Sequence, residues 1–276
     1  MKNKFKFLFV LILSVSSGSG GLQANIGILN GLTHEHIVHH GQIVEGVIVL
    51  KNSSDQPEEA RLYLQDFSFN YEGKKEYTEP GTISRSNTSW IQFSPSLVTV
   101  PPQETMDVKY TIQVPETEEM TGTYWSILMV EGVPQLTAQA SAENRKDIQF
   151  GIKQLLRYGI QLVTHIEDSG TRNIKFLNTE LVQTENGQQL NIDVENTGER
   201  WLRPNLVVEL YDEMGSQAGK VDGGKWRIYP GTSVRFTADL TAIASGKYIA
   251  LVIVDNHDDH VFGAQFNLEL TAFVKK

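Results

Sequence analysis

Cysteine is absent from the 276 residues, so no disulfide, thiolate metal ligand or cysteine nucleophile enters the chemistry. Any core must stand on packing alone, even in a compartment that permits disulfides. An excess of positive charge is also missing: 33 acidic residues against 24 basic ones give a formal charge of −9. Nucleic-acid binding needs a basic patch that displaces counterions, and adhesion to an anionic membrane needs the same sign, so neither partner is expected. Beyond the first two dozen residues there is no long apolar run. The longest, Ile249 to Val254, is strand-sized, whereas a membrane-spanning helix needs roughly 20 apolar residues. No nucleophile elbow, phosphate loop, zinc-hydrolase helix or dinucleotide fingerprint occurs. Nothing asks for an enzyme or a cofactor, and neither is expected.

What is present begins with a basic start. Lys2, Lys4 and Lys6 precede the apolar stretch Phe7 to Val15, then small polar residues and Leu22-Gln23-Ala24. This is the order of a secretory signal peptide with a small residue at the cut. Residues 1–24 are expected to be removed and the chain exported, to the periplasm or the cell surface. No cysteine follows the apolar stretch, which excludes a lipid-modified start.

The remainder lacks helical periodicity. Short β-branched and aromatic runs bounded by Gly, Pro, Asn and Asp recur instead, which is the pattern of a sandwich or barrel. One set comprises Val44 to Leu50, Arg61 to Phe67, Leu97 to Val100, Asp107 to Val114 and Tyr124 to Val130; a second runs from Leu190 to Leu270. The two sets echo one another. Gly41, Asn52 and Asp66 correspond to Gly187, Asn196 and Asp212, the Pro101-Pro102 turn to Pro230-Gly231, and Gly122-Thr123-Tyr124 to Gly246-Lys247-Tyr248. A duplicated module is the simplest reading. The expected fold is all-β, two immunoglobulin-like β-sandwich domains in tandem, over 25–167 and 168–276, with Tyr124 and Tyr248 as candidate tyrosine corners.

Several segments resemble the periplasmic pilus-assembly chaperones of the PapD-like family. Thr33 to Asn52 is similar to that family's first two strands. Trp90 to Pro95 followed by Leu97 to Pro101 is similar to its strand, Pro, strand, Pro segment, and Tyr124 to Pro134 to the strand before its long loop. Ile152 to Arg157 resembles its edge strand, and Asn191 to Val208 a strand pair of its second domain. The resemblance implies a chaperone that binds an exported, pilus- or fimbrial-type subunit by lending it an edge strand, so that main-chain bonds supply affinity and alternate side chains fill pockets. The lending face would be Ile152, Leu156, Tyr158, Ile160 and Leu162. By the same resemblance Lys153 falls where the family has a Lys that grips the client's terminal carboxylate. His36 stands where it has an Arg, and an imidazole cannot grip a carboxylate in the same bidentate way. The alternative is that this strand closes the first sandwich and shows nothing to a partner. The polar loop 132–147 is longer than a hairpin turn needs.

A weaker resemblance, in the Trp, Ser-Pro and Gly-x-Tyr-Trp strand set, is to WxL-interacting cell-surface proteins, which implies a cell-wall binding module. A third reading starts from the histidines. His34, His36 and His40 are the side chains a metal would use, but their spacing matches no named motif and no metal is expected. The cluster Asp255 to His260 reads as a solvated loop tip. Trp201 stands between Arg200 and Arg203, and Trp226 between Lys225 and Arg227, which suits cation–π contacts. Glu167 to Gly170 reads as an exposed hinge.

Overall fold

The computed structural model describes residues 26–134 and 156–271. Strands dominate, and they assemble into two sandwiches. In the first, one sheet is ordered β1 (Ile26–Ile28), β3 (Ile43–Asn52), β8 (Thr105–Gln113), β6 (Ile91–Ser94). Its partner sheet is ordered β2 (Thr33–Val38), β10 (Arg157–Ile166), β9 (Gly122–Val133), β4 (Glu58–Phe69), β5 (Lys75–Thr78), with β7 (Leu97–Val100) pairing the start of β4. In the second sandwich β11 (Ile174–Thr184), β12 (Gly187–Asn196) and β15 (Ser233–Asp239) face a sheet ordered β14 (Gln217–Lys225), β13 (Asn205–Tyr211), β16 (Gly246–Asp255), β17 (Val261–Leu270). Some successive strands pair as hairpins, and others, such as β3 to β4 and β8 to β9, cross between the sheets in the immunoglobulin manner. The expected pair of immunoglobulin-like sandwiches is what forms. No helix among the described residues is long and apolar enough to cross a membrane.

Each core follows from period-two alternation, which turns every second side chain to the same face. Val108, Tyr110 and Ile112 of β8 point inward against Ile48 and Leu50 of β3 and Leu62, Leu128 and Val130 of the other sheet. Leu206, Val208 and Leu210 of β13 do the same against Val252 and Val254 of β16 and Ile192 and Phe236 of the opposite sheet.

The sequence echo becomes a structural one at the ends of β3 and β12. Asn52 and Asn196 are both without exposed surface. Asn52 Nδ2 donates to the carbonyls of Gln56 (2.7 Å) and Val100 (3.0 Å), while its Oδ1 accepts from Ser54 N (2.8 Å). Asn196 Nδ2 donates to Arg200 (2.8 Å) and Ile228 (2.9 Å), and its Oδ1 accepts from Gly198 N (2.9 Å). One buried amide thus satisfies three backbone groups that would otherwise be stranded in a turn. The tyrosine corner is present once: Tyr248 Oη donates to Ala244 O at 2.9 Å. Tyr124 packs instead on Trp90, ring centroids 4.7 Å apart, with the Arg85 guanidinium over its ring.

The link between the sandwiches exposes Glu167 and Asp168, as expected, but its backbone is clamped. Gly122 and Gly170 have left-handed φ of 77° and 87°, and a Cβ on Gly122 would lie 2.2 Å from Glu199 O, one on Gly170 2.5 Å from Gly122 Cα. Only glycine permits that approach. Arg200 donates to Glu167 O (2.6 Å), Thr171 N to Glu199 Oε2 (3.1 Å), and Gly122 N to Ser169 Oγ (3.0 Å). Arg85 pairs with Glu199 at 3.1 Å, and the Thr171 N–H leads the interactions that lower the Glu199 pKa.

Candidate functional site

β10 has two unlike halves. From Gln161 to Ile166 it lies between β9 and β2, antiparallel to the first and parallel to the second. From Arg157 to Ile160 it pairs with β9 alone, because the β2 register starts at Thr33 opposite Gln161. Before Thr33 the chain leaves for the other sheet: β1 pairs with β3, and Leu29 N donates to Val49 O at 3.0 Å. Among the described residues, the side of β10 away from β9 therefore carries no strand over Arg157–Ile160. An open strand edge of this kind is a template for another chain unless something covers it.

The side chains of β10 divide along the same line. Leu156, just before the strand, is 39 % exposed. Tyr158 is partly buried against the first core. Ile160 and Leu162 have no exposed surface and fill that core. This corrects the expected lending face: a side chain that completes its own sandwich is not available to a partner's. Ile152 and Lys153 lie outside the described residues.

His36 is also corrected, by the parity of β2. His34, His36 and Val38 turn inward, whereas Thr33, Glu35 and Ile37 face out, Glu35 and Ile37 being exposed. His34 Nδ1 and His36 Nε2 each lie 2.9 Å from the hydroxyl of Tyr110. Tyr110 is fully buried, burial pushes its phenol up to about 12, and Gly46 opposite is required because a Cβ there would sit 2.1 Å from Tyr110 Cζ. Burial lowers the pKa of both imidazoles, and His34 adds to the effect on His36. Two neutral rings tied to one phenol are a polar strut between the sheets, not a seat for a client carboxylate. His40 is elsewhere, its Nε2 on Met120 O at 2.9 Å. Among the described residues no group of three or more His, Asp or Glu converges as a metal would require.

The outward face of β10 meets the second sandwich, and this joint was missed in the sequence. Val163, Trp125, Trp201 and Tyr229 form one buried cluster. Trp125 and Tyr229 stack with centroids 4.6 Å apart, Trp201 stands edge-on to Tyr229 at 5.2 Å, and Arg203 and Arg227 lie over the Trp201 ring at 4.4 and 4.6 Å. Thr123 Oγ1 accepts Trp201 N–H (2.9 Å) and lies 2.9 Å from His165 Nδ1. His165 Nε2 faces Glu35 at 3.8 Å, and Glu35 itself binds Arg203. Burial, then Arg200 and Arg203, hold His165 down to about 3. Gln161 Oε1 accepts from Tyr229 Oη, and Arg227 reaches Thr33 Oγ1 at 3.0 Å. The loop after β16 is exposed at His257, Asp258 and Asp259, as expected of a solvated tip, and its base is tied within the second sandwich: Asn256 Oδ1 accepts Arg203 N (2.7 Å), and Asp258 pairs with Arg172 (3.1 Å). Trp201 between two arginines was the one signal, but its burial at 6 % could not be read from spacing. Trp226, by contrast, stays half exposed.

Across the open half of β10 runs a row of charges. Arg61 of β4 and Arg157 of β10 both register opposite Glu131 of β9. Glu131 binds Arg157 at 2.8 Å and Arg61 at 3.2 Å, and accepts from Tyr63 Oη at 3.1 Å. The Arg157 bond leads the interactions that lower the Glu131 pKa.

No protein-family model matches the sequence, and no curated protein is significantly similar to it. Solved structures do match in chain path. One is a chain of the chaperone–tip adhesin complex of CFA/I fimbriae biogenesis, at TM-score 0.49 and 12% identity, covering 88% of this chain and 98% of the other. Another is the class 5 fimbriae chaperone CfaA, at TM-score 0.46 and 10% identity, covering 90% and 100%. A third is the YadV chaperone, at 0.44 and 12%, covering 89% and 100%. What the site of this chain does rests on its own residues.

Proposed function

We propose that the chain is a chaperone-like carrier that binds an exported subunit, of pilus or fimbrial type, by pairing a strand of the client with the open edge of β10. The observation that carries the reading is the edge at Arg157–Ile160, which no strand among the described residues covers, with exposed Leu156 at its start. Main-chain pairing at such an edge supplies affinity without an apolar groove, and the sequence motifs that resemble pilus-assembly chaperones agree with it. In this reading 1–24 is a signal peptide, 25–167 and 168–276 are the two domains, and the protein works in the periplasm without catalysis. Ile160, Leu162 and His36 serve by shaping the strand and its sheet rather than by touching the client.

The test is co-purification from the envelope fraction of the native host. Leu156→Asp should keep the melting temperature within a few degrees and lose the partner. A partner retained by Leu156→Asp, and equally by Gly159→Pro, which removes an amide on the side of β10 away from β9, would remove the edge from the account. A second reading, a rigid cell-surface module, is favoured by the clamped linker and the filled joint between sandwiches. It predicts a partner bound elsewhere and indifferent to both changes.

A further inference from the structure

The charge row that crosses the first sandwich ends at the open edge. Going from β4 through β9 to β10 the outward side chains in register are Arg61, Glu131 and Arg157, in the order plus, minus, plus. Glu131 is shared by both guanidinium groups, and its side chain is 11 % exposed against 62 % and 51 % for Arg61 and Arg157. One carboxylate thus serves two cations, and the surplus positive charge lies on the solvent side of Arg157, where no described strand follows. Two residues along, on the same face, Gly159 offers no side chain to an incoming strand beside Arg157.

Opposite charges directly across neighbouring strands attract and like charges repel. We infer that the strand which adds to β10 carries a carboxylate in register with Arg157, extending the alternation by one place. The inference rests on the edge-pairing function proposed above and names what that edge selects: a client strand with Asp or Glu at one outward position, in preference to Lys or Arg. Arg157 is then a specificity residue, while Arg61, one strand further from the edge, only shares Glu131.

The experiment uses the full mature chain and three fluorescein-labelled peptides of alternating Thr and Val, alike except for Asp, Asn or Lys at one central Thr position. Binding is followed by anisotropy at low and at high salt. The Asp peptide should bind about three- to tenfold more tightly than the Lys peptide, as cross-strand charge pairs allow, with Asn between them. High salt should compress the difference, because the pair is solvent-exposed. Arg157→Gln should abolish the preference, and Arg61→Gln should keep its sign. Equal binding of the three peptides, or a preference that survives Arg157→Gln, overturns the inference while leaving edge pairing intact. Failure of every peptide to bind removes edge pairing and the inference with it.

Discussion

The two halves of β10 have the same backbone geometry, the same alternation and the same neighbour, β9, yet they are used oppositely. Gln161 to Ile166 is closed on every side: β2 covers its edge, Leu162 and Ile166 fill the first core, and Val163 and His165 are sealed by the second sandwich. Arg157 to Ile160 has its core side filled but, among the described residues, no strand on its far edge, and its own outward residues are Arg157 and Gly159. The difference lies in where β2 starts, not in the hydropathy of β10. A strand can be wholly structural along one half of its length and open along the other, and the boundary is set by a neighbour more than a hundred residues away in sequence.

The sharpest way to break this comparison is to put the same charge in both halves. Ile160→Asp buries a carboxylate without a partner in the first core and should cost about 4 kcal/mol or more, leaving the first sandwich unfolded at ordinary temperatures. Leu156→Asp should change stability by about 0.5 kcal/mol or less, as an exposed substitution does. Chemical denaturation of both variants checks this. Equal losses would mean that the two halves are not different environments.

The next effect belongs to the closed half and its joint. Trp201→Ala removes the buried ring that stands edge-on to Tyr229 and lies under Arg203 and Arg227, so a loss of about 3 kcal/mol is expected, as for large core aromatics. Calorimetry should also show the two sandwiches melting apart. A single unaltered transition would mean that the joint does not couple them.

A third effect compares the echoed turns. Asn52→Ala and Asn196→Ala each leave buried backbone groups without partners, and each should cost about 2–3 kcal/mol. If only one of the two does so, the modules are not energetic equivalents.

The smallest effect concerns pH. His165 is held down to about 3, and burial lowers His34 and His36 in the same direction. For each, the unfolded imidazole takes a proton as pH falls below about 6.5 while the folded one does not, so stability falls with falling pH from there down towards the folded value. The loss for His165 thus spans pH 6.5 to about 3. His165→Gln, which keeps a polar partner for Thr123, should flatten the decline in melting temperature between pH 7 and 5 relative to the unmodified chain. Parallel curves would contradict the buried neutral imidazole.

Much of this fold was legible in the sequence because it depends on local signals. Alternation gave the strands, and the Asn52/Asn196 and Gly-x-Tyr pairings gave the duplication. The site was legible only in part. Alternation marks two faces of a strand but cannot say which one is inside when both are covered, as on β10, where Ile160 and Leu162 face one core and Val163 another. The same ambiguity hides the inward turn of His36 to Tyr110, which depends on Gly46 across the sandwich. The linker reads as loose because Glu, Asp, Ser and Gly favour exposed turns, but its packing against Gly198 to Arg200 is a contact between modules that no local pattern encodes.

The central claim, that β10 is open at Arg157–Ile160 and closed beyond, is tested most directly by amide hydrogen exchange resolved to single residues, with and without a bound client strand. In the free protein the amides of Val163 to Ile166 should be strongly protected, and those of Arg157 to Ile160 that point away from β9 should exchange orders of magnitude faster. Adding the client should slow the second group alone. Equal protection of both halves in the free protein, or client protection that appears anywhere except at this edge, would contradict the account.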